Sequence, residues 1–217
     1  MTARGLFLVL EGPEGSGKST LAVALAERMR NHGVEPVVVR EPGGTRAGEI
    51  ARQAVLDPEH PVGTVAELFF YLAARAEHVE RVIGPALAAG RVVLSDRFVL
   101  STEAYQMAGR GIPAEVVRPA NRAAAGGLEP DLTLILDLPP EVGRARQVAA
   151  GKQLDRLDSE SMEFHRRVVG YYLAVRGDAV RHFDACLTPD RLLEAVWGEV
   201  VALDPERFGV HPRGHGG

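Results

Sequence analysis

Short apolar runs alternate with segments of helical spacing along this chain. Residues 6–10, with the sequence LFLVL, form an uninterrupted apolar run, as expected of a strand buried on both faces of a parallel sheet. We predict four more strands, at residues 36–40, 91–95, 132–138 and 179–184. Because strands that alternate with helices form a parallel sheet covered on both sides, the pattern predicts an α/β fold with about five strands.

The segments between the predicted strands carry apolar residues three and four positions apart, which indicates helices. In the first of them, Leu21, Leu25 and Met29 share one helical face. The other predicted helices cover residues 46–56, 65–89, 101–126 with a break at 109–113, a segment opened by Pro139 and Pro140, 161–176 and 188–201. We expect residues 1–207 to form a single domain, with a mobile connection at 149–158 and a frayed tail at 208–217.

A glycine-rich segment joins the first strand to the first helix. Residues 12–19 match G-x-x-x-x-G-K-[ST], within the sequence EGPEGSGKST of residues 11–20. The glycines let successive backbone N–H groups point inward, and the helix that begins near Lys18 adds the positive end of its dipole. Lys18 would reach the outer phosphates of a nucleotide, and the Ser19 hydroxyl would help to hold Mg²⁺. A turn that binds nothing is the alternative, but the flanking strand and helix favour a P-loop nucleotide site.

Polar residues also follow the second and third predicted strands, at the sheet edge where open α/β sheets bind their ligands. Asp96 could hold Mg²⁺, and the Arg97 guanidinium could bind a phosphate through two hydrogen bonds. Residues 41–45, with the sequence EPGGT, form a turn at the same edge. Tyr71 and Arg75 lie four residues apart on one helix, so that a ring for base stacking would stand beside a hydrogen-bond donor. Each feature also has a purely structural interpretation: an ion pair, a tight turn or a core aromatic residue.

The composition narrows the class of partner. The 217 residues carry a formal net charge of −4, which argues against a general nucleic-acid binder. No segment approaches the roughly 20 apolar residues of a membrane span, and the N-terminus lacks the features of a secretory signal. The lone cysteine, Cys186, excludes an intrachain disulfide, and we expect it to be a small core residue. We therefore expect a cytoplasmic protein that binds neither nucleic acid nor membranes.

Taken together, the motifs resemble those of the bacterial thymidylate kinases, a family of nucleoside monophosphate kinases. The matching segments are residues 11–20, 40–45, 73–75, 96–97, 100–106, 109–112 and 154–156. The resemblance implies transfer of the γ-phosphoryl group of ATP to dTMP, with Mg²⁺ as cofactor, in the synthesis of deoxythymidine nucleotides. It also implies a homodimer and a mobile lid at about residues 144–158. Because the acceptor is already a phosphate anion, catalysis would need positioning and charge neutralisation rather than a general base.

The resemblance implies roles for single residues as well. Lys18 and Arg97 would be catalytic, Ser19 and Asp96 would hold the metal, and Arg146 would lie against adenine. The remaining ATP-binding residues belong to the phosphate loop: Gly12, Pro13, Glu14, Gly15, Ser16, Gly17 and Thr20, together with Lys18 and Ser19. The implied dTMP-binding residues are Glu41 near the sugar, Arg52 and Arg97 on the phosphate, Tyr71 under the base, Arg75, Ser101, Thr102 and Gln106 around it, and Tyr105 against the second carbon of the sugar.

The source of the cation that stabilises the transition state is less obvious. Relatives commonly carry Arg-Gly in the lid, where this chain has Ala150-Gly151 and one inserted residue before Asp155. The phosphate loop contains no arginine, so the lid must supply the cation. Arg156 and Lys152 are the candidates, and we favour Arg156 because a guanidinium can bind two oxygens at once.

Other P-loop classes fit the sequence less well. A regulatory GTPase would need D-x-x-G and N-K-x-D motifs, and neither string occurs. A deoxynucleoside kinase acts on a neutral hydroxyl, so it would need a carboxylate base and would have little use for both Arg52 and Arg97. A nucleotide-binding module without catalytic activity is the last alternative, and the presence of both the lysine and the metal-binding groups argues against it.

Overall fold

The computed structural model describes residues 4–151 and 155–209. Its centre is one sheet of five strands, all of them parallel, in the order β2-β3-β1-β4-β5. The strands are β1 (Leu6–Glu11), β2 (Val37–Arg40), β3 (Val92–Asp96), β4 (Leu132–Asp137) and β5 (Val180–Asp184). The predicted α/β class and the five predicted strands are confirmed.

The strand order places the phosphate loop where the chain changes direction across the sheet. β1 lies between β3 and β4, and the loop leaves its carboxyl end. Such a switch point opens a crevice, because the connections on either side run to opposite faces of the sheet. The register brings Arg40, at the end of β2, and Leu10, near the end of β1, level with Asp96 at the end of β3. The polar strand ends therefore meet at one edge.

Helices cover both faces and fall close to their predicted positions. The predicted helix at 65–89 is helical throughout, but π-helical backbone interrupts it at residues 79–83, and the break near 109–113 is present. In chain order the helices are α1 (Lys18–Asn31), α2 (Arg46–Leu56), α3 (Thr64–His78), the π-helical segment Val79–Ile83, α4 (Gly84–Ala88), α5 (Val99–Thr102), the π-helical segment Glu103–Gly109, α6 (Ala114–Ala124), α7 (Pro140–Ala149), α8 (Met162–Ala174), α9 (Pro189–Leu203) and α10 (Pro205–Phe208).

Alternate residues of β1 build the core on both sides of the sheet, because successive strand side chains point to opposite faces. Leu8 and Leu10 pack with apolar residues of α1 and α9, and Phe7 and Val9 pack on the other face. In the part of the chain that is described, no helix has the length and apolar character needed to cross a membrane.

Two expectations about the C-terminal part were wrong. Phe208 was expected to begin a frayed tail, but it is fully buried, 5.8 Å from the Trp197 ring in an edge-on contact. It belongs to the apolar cluster that residues of β1, α1 and α9 form, and this packing holds it in the core. Cys186 was expected in the core, but it is exposed, in the turn between β5 and α9. Residues 210–217 of the expected tail lie outside the described residues.

Candidate active site

A cleft of about 470 Å³ opens at the carboxyl edge of the sheet. It brings together almost all the residues predicted for the site. From the phosphate loop and the metal pair it includes Glu14, Gly15, Gly17, Lys18, Ser19, Thr20 and Asp96, and from the rest of the chain Glu41, Arg52, Tyr71, Arg75, Arg97, Ser101, Thr102, Tyr105, Gln106 and Arg146. Gly12, Pro13 and Ser16 complete the phosphate loop behind this surface, and Arg156 does not line the cleft.

The phosphate loop holds its lysine folded back over its own backbone. The Lys18 ammonium is buried and donates hydrogen bonds to the carbonyl oxygens of Gly12 at 2.9 Å and Pro13 at 2.8 Å. Burial, aided by the nearby Arg97 charge, lowers the pKa of Lys18 to about 8. At Gly15, where φ is +75°, an added Cβ would lie 2.5 Å from the Gly143 carbonyl oxygen. Only glycine therefore allows the loop to pack against α7.

A serine and an aspartate meet next to this loop in the geometry expected of a metal site. The Ser19 hydroxyl donates to Asp96 Oδ2 at 2.6 Å, and Asp96 Oδ1 is buried without a hydrogen-bond partner among the described residues. An orphaned carboxylate oxygen beside a hydroxyl suits a hard cation that takes oxygen ligands. Two protein ligands also fit Mg²⁺, which usually keeps several waters and binds substrate phosphates.

Arg97 connects the phosphate loop to the opposite wall. Its guanidinium pairs with Glu14 at 2.5 Å, donates to Ser101 Oγ at 3.1 Å, and lies 5.1 Å from the centre of the Tyr105 ring. Burial would lower the pKa of Arg97, but the Glu14 carboxylate raises it well above its ordinary value, so that the side chain stays charged. Its φ of 78° is a left-handed conformation that is uncommon for residues other than glycine, and such strain is concentrated at functional sites.

No role was predicted for Glu11, which fixes the positions of Ser101 and Tyr172 through hydrogen bonds. Glu11 is fully buried and accepts hydrogen bonds from the Ser101 hydroxyl at 2.6 Å and the Tyr172 hydroxyl at 2.9 Å. It also accepts from the backbone N–H groups of Phe98 and Ser101. Its sequence signal was a carboxylate that closes an apolar strand. Arg40, Leu56, Gln147 and Leu157 line the cleft as well and were not predicted.

A second group of cleft residues surrounds a pocket between α2, α3 and the residues after β3. α2 begins at a capped turn, where the Thr45 hydroxyl accepts from the Gly48 N–H at 3.0 Å. Seven residues after Thr45, Arg52 lines the cleft and donates to the Pro42 carbonyl oxygen at 3.1 Å. Tyr71 lies across the cleft on α3, and burial raises the pKa of its hydroxyl.

Arg75 is more deeply buried than its predicted role implies. It donates to Glu41 Oε2 at 2.8 Å, Thr102 Oγ1 at 2.9 Å and the Phe98 carbonyl oxygen at 2.9 Å, and it also bonds to Asn121. Four of its five N–H donors are thus engaged by the protein. Burial raises the pKa of Glu41 despite this arginine. Gln106 is buried too, and its Nε2 donates to Glu67 at 2.8 Å.

The predicted cation of the lid is not in the cleft. Arg156 forms an ion pair with the buried Glu67 and donates to the Val55 carbonyl oxygen at 2.9 Å. An uncompensated carboxylate at Glu67 would be unfavourable in the interior, which explains why it attracts this guanidinium. Lys152, the other candidate, lies outside the described residues. Arg146 does line the cleft, where it donates to the carbonyl oxygens of Gly15 at 3.3 Å and Ala185 at 2.9 Å.

Comparison with known proteins gives consistent matches. The family model described as thymidylate kinase matches residues 10–185. A thymidylate kinase of Synechococcus sp. (strain JA-2-3B'a(2-13)) is 53% identical over 163 residues, which are 75% of this chain and 77% of the relative. Those of Ectopseudomonas mendocina and Thermomicrobium roseum are each 47% identical, over 93% and 91% of this chain and 95% of their own length.

Proposed function

The chain belongs to the thymidylate kinase family and phosphorylates dTMP to dTDP with ATP, and we propose which residues of its cleft bind each substrate. The phosphate loop binds the ATP phosphates through its N–H groups and Lys18, with Arg146 on the adenine side. Arg52 and Arg97 bind the dTMP phosphate. Tyr71 stacks on thymine, Gln106 contacts the edge of the base, and Tyr105 packs against the deoxyribose.

One observation supports this assignment of residues to substrates. A single cleft holds the lysine of a phosphate loop and two arginines from other elements, Arg52 and Arg97. Two anionic substrates must approach each other during the reaction, and only fixed cations can offset their repulsion. An oxygen of the dTMP phosphate attacks the γ-phosphorus of ATP, and the bond from phosphorus to the β–γ bridging oxygen breaks. The attacking oxygen carries no proton that must be removed, so the cleft needs no general base.

We also propose that Ser19 and Asp96 hold Mg²⁺, supported by the orphaned Oδ1 of Asp96. The ion would neutralise the charge that develops on the β- and γ-phosphate oxygens. Asp96→Asn keeps the size of the side chain and removes its charge. We expect this variant to need far more Mg²⁺ for half-maximal activity, while its KM for dTMP at saturating Mg²⁺ changes little.

A homodimer is a further part of the proposal. Val65 and Phe69 stand one turn apart on α3, and their exposed fractions are 57% and 58%. α3 packs against α6, on which Val116 is also exposed. Exposed apolar side chains that lie close together are typical of protein interfaces. In sedimentation experiments we expect Phe69→Glu to shift the protein towards a monomer.

We place the enzyme in the cytoplasm, where its exposed lone cysteine would stay reduced.

The test of the proposed function is ADP release measured with dTMP, dUMP, dCMP and thymidine as acceptors. We expect dTMP to give the highest kcat/KM and thymidine, which lacks the phosphate, to give no measurable turnover. Faster turnover of thymidine would indicate a deoxynucleoside kinase. ATP binding without ADP release for any acceptor would indicate a module that only binds nucleotide.

A further inference from the structure

Glu67 is a buried carboxylate just behind the base-binding wall of the cleft. It lies on α3, one helical turn before Tyr71, and its side chain is fully buried. It does not line the cleft. Its contacts reach from α3 to Gln106, to Arg110 and to Arg156, so the group joins three separate parts of the chain.

Four N–H donors surround the two oxygens of Glu67. Oε1 accepts from Gln106 Nε2 at 2.8 Å and Arg110 Nε at 3.2 Å, and Oε2 accepts from Arg110 Nη2 at 3.0 Å and from Arg156 Nη2. Burial would raise the pKa of Glu67, but hydrogen bonds from Arg110, Arg156 and Gln106 lower it overall. The carboxylate therefore carries its charge at neutral pH and acts only as an acceptor.

An acceptor at this position decides which end of the Gln106 amide faces it. A carboxylate attracts the NH₂ group and repels the carbonyl oxygen, so the contact of Gln106 Nε2 with Glu67 is the one that chemistry favours. Gln106 is among the residues that line the cleft, so its amide oxygen is the side-chain acceptor left for a base there. Without Glu67, the amide could turn over and offer its nitrogen instead.

The exposed end of this amide matters for the choice of base. Thymine carries a hydrogen on N3, which donates to an oxygen, whereas N3 of cytosine carries a lone pair that an oxygen repels. We propose that Glu67 is a positioning residue that fixes the Gln106 amide and thereby selects pyrimidines with an N3–H over cytosine. The proposal rests on the proposed function, because it takes Gln106 to contact the edge of the base. It applies equally to thymine and uracil.

The substitution Glu67→Gln tests this role. A glutamine at this position has one oxygen, which is best placed between Arg110 and Arg156, so its nitrogen faces Gln106. The Gln106 amide must then turn over. We expect kcat/KM for dTMP to fall about tenfold or more, that for dCMP to rise, and the KM for ATP to stay at the parent value.

Glu160 offers a matched control. It pairs with the same Arg110, whereas the described hydrogen bond of the Gln106 amide goes to Glu67, so Glu160→Gln removes a comparable charge from the cluster. We expect this variant to keep the dTMP-to-dCMP preference of the parent. If Glu67→Gln and Glu160→Gln change the preference equally, Glu67 has only a structural role and the proposal is wrong.

Two further measurements keep the proposal testable if Glu67→Gln does not fold. The unaltered enzyme should bind N3-methyl-dTMP about tenfold or more weakly than dTMP, because the methyl group replaces the donated hydrogen. Equal binding would overturn the proposal.

In a Gln106→Leu background, a second change of Glu67 to Gln should leave the base preference as it is, since the positioned amide is gone. If the parent enzyme itself does not phosphorylate dTMP, the proposed function fails first, which is a distinct result.

Discussion

The Nζ atom of Lys18 lies 2.8 Å from the carbonyl oxygen of Pro13, to which it donates a hydrogen bond. The lysine of the phosphate loop is thus satisfied by backbone carbonyls of the same loop. A triphosphate would hold the ammonium more strongly than these carbonyls, because it adds the attraction between opposite charges. In the proposed function, ATP draws the ammonium away from Gly12 and Pro13, and the negative charge of its phosphates raises the pKa of Lys18.

This arrangement predicts a pH dependence. The pKa of Lys18 is lowered to about 8, so the free enzyme loses the ammonium proton above that pH. kcat/KM reports groups of the free enzyme, and kcat reports those of the complex. We therefore expect kcat/KM for ATP to fall above about pH 8, while kcat at saturating ATP falls only at a higher pH. A profile of kcat/KM for ATP that stays flat to about pH 10 would contradict this.

In the proposed function, Lys18→Ala removes a preorganised cation from the reacting phosphates. We expect kcat to fall about a hundredfold or more, which is the scale measured for the loss of one such group. The fold should survive, because among the described residues the Lys18 ammonium donates only to the phosphate loop itself. Thermal unfolding of the variant checks this point. A folded variant with near-normal turnover would show that Lys18 does not act on the transition state.

Tyr71→Ala should weaken dTMP binding by about 1–3 kcal/mol, the range for the loss of one stacked base. Calorimetric titration with dTMP measures this, and titration with ATP should give the parent affinity. Tyr71→Phe is the matched control, because it keeps the ring and removes only a hydroxyl. An equal loss of affinity for both substrates in Tyr71→Ala would mean that the ring is a core residue.

Most of the fold and of the phosphate side of the cleft was predictable from local patterns. The apolar run of β1 and the glycine spacing that follows it lie within one short segment, so they can be recognised without knowing which distant residues come into contact. Asp96 and Arg97 followed from the rule that ligands bind at the carboxyl ends of parallel strands. Their placement in the cleft agrees with that reasoning.

The parts that escaped prediction depend on pairs far apart in sequence. Glu67 is 43 residues from Arg110 and 89 from Arg156. The local sequence pattern of α3 does not indicate that a carboxylate is buried there. The ion pair of Arg156 with Glu67 could not be predicted for the same reason, because a guanidinium next to an expected lid could equally face the substrate. Phe208 was missed for a similar reason, since the buried apolar cluster that it joins includes Leu6 and Val92, far from it in sequence.

Tyr105→Ala should reduce the preference for dTMP over the corresponding ribonucleotide. The ring is almost completely buried between Arg97 and Phe164, so it cannot move aside for a 2′-hydroxyl without displacing the Arg97 side chain. We expect the ratio of the two kcat/KM values to fall about tenfold or more in the alanine variant. Tyr105→Phe keeps the ring and should keep the ratio. An unchanged ratio in Tyr105→Ala would assign the selection of the sugar to another residue.

Arg156 and Lys152 should respond differently to alanine substitution. Arg156 compensates a buried carboxylate in the structure, and one N–H of its guanidinium is held by the Val55 carbonyl oxygen. Removing it leaves Glu67 with Arg110 as its only arginine partner among the described residues. We expect Arg156→Ala to destabilise the protein by about 1–3 kcal/mol and to lower the thermal midpoint by several degrees.

Lys152 is then the remaining candidate for the cation of the lid. If it meets the equatorial oxygens of the transferred phosphoryl group, Lys152→Ala should lower kcat about tenfold or more, leave both KM values near those of the parent and leave the thermal midpoint unchanged. Lys152→Arg keeps the charge and should recover part of the rate. A loss of kcat in Arg156→Ala without loss of stability would instead mean that Arg156 leaves Glu67 and turns into the cleft when ATP binds. Parent-like turnover in both alanine variants would show that the arginines already in the cleft neutralise the phosphoryl group without help from the lid.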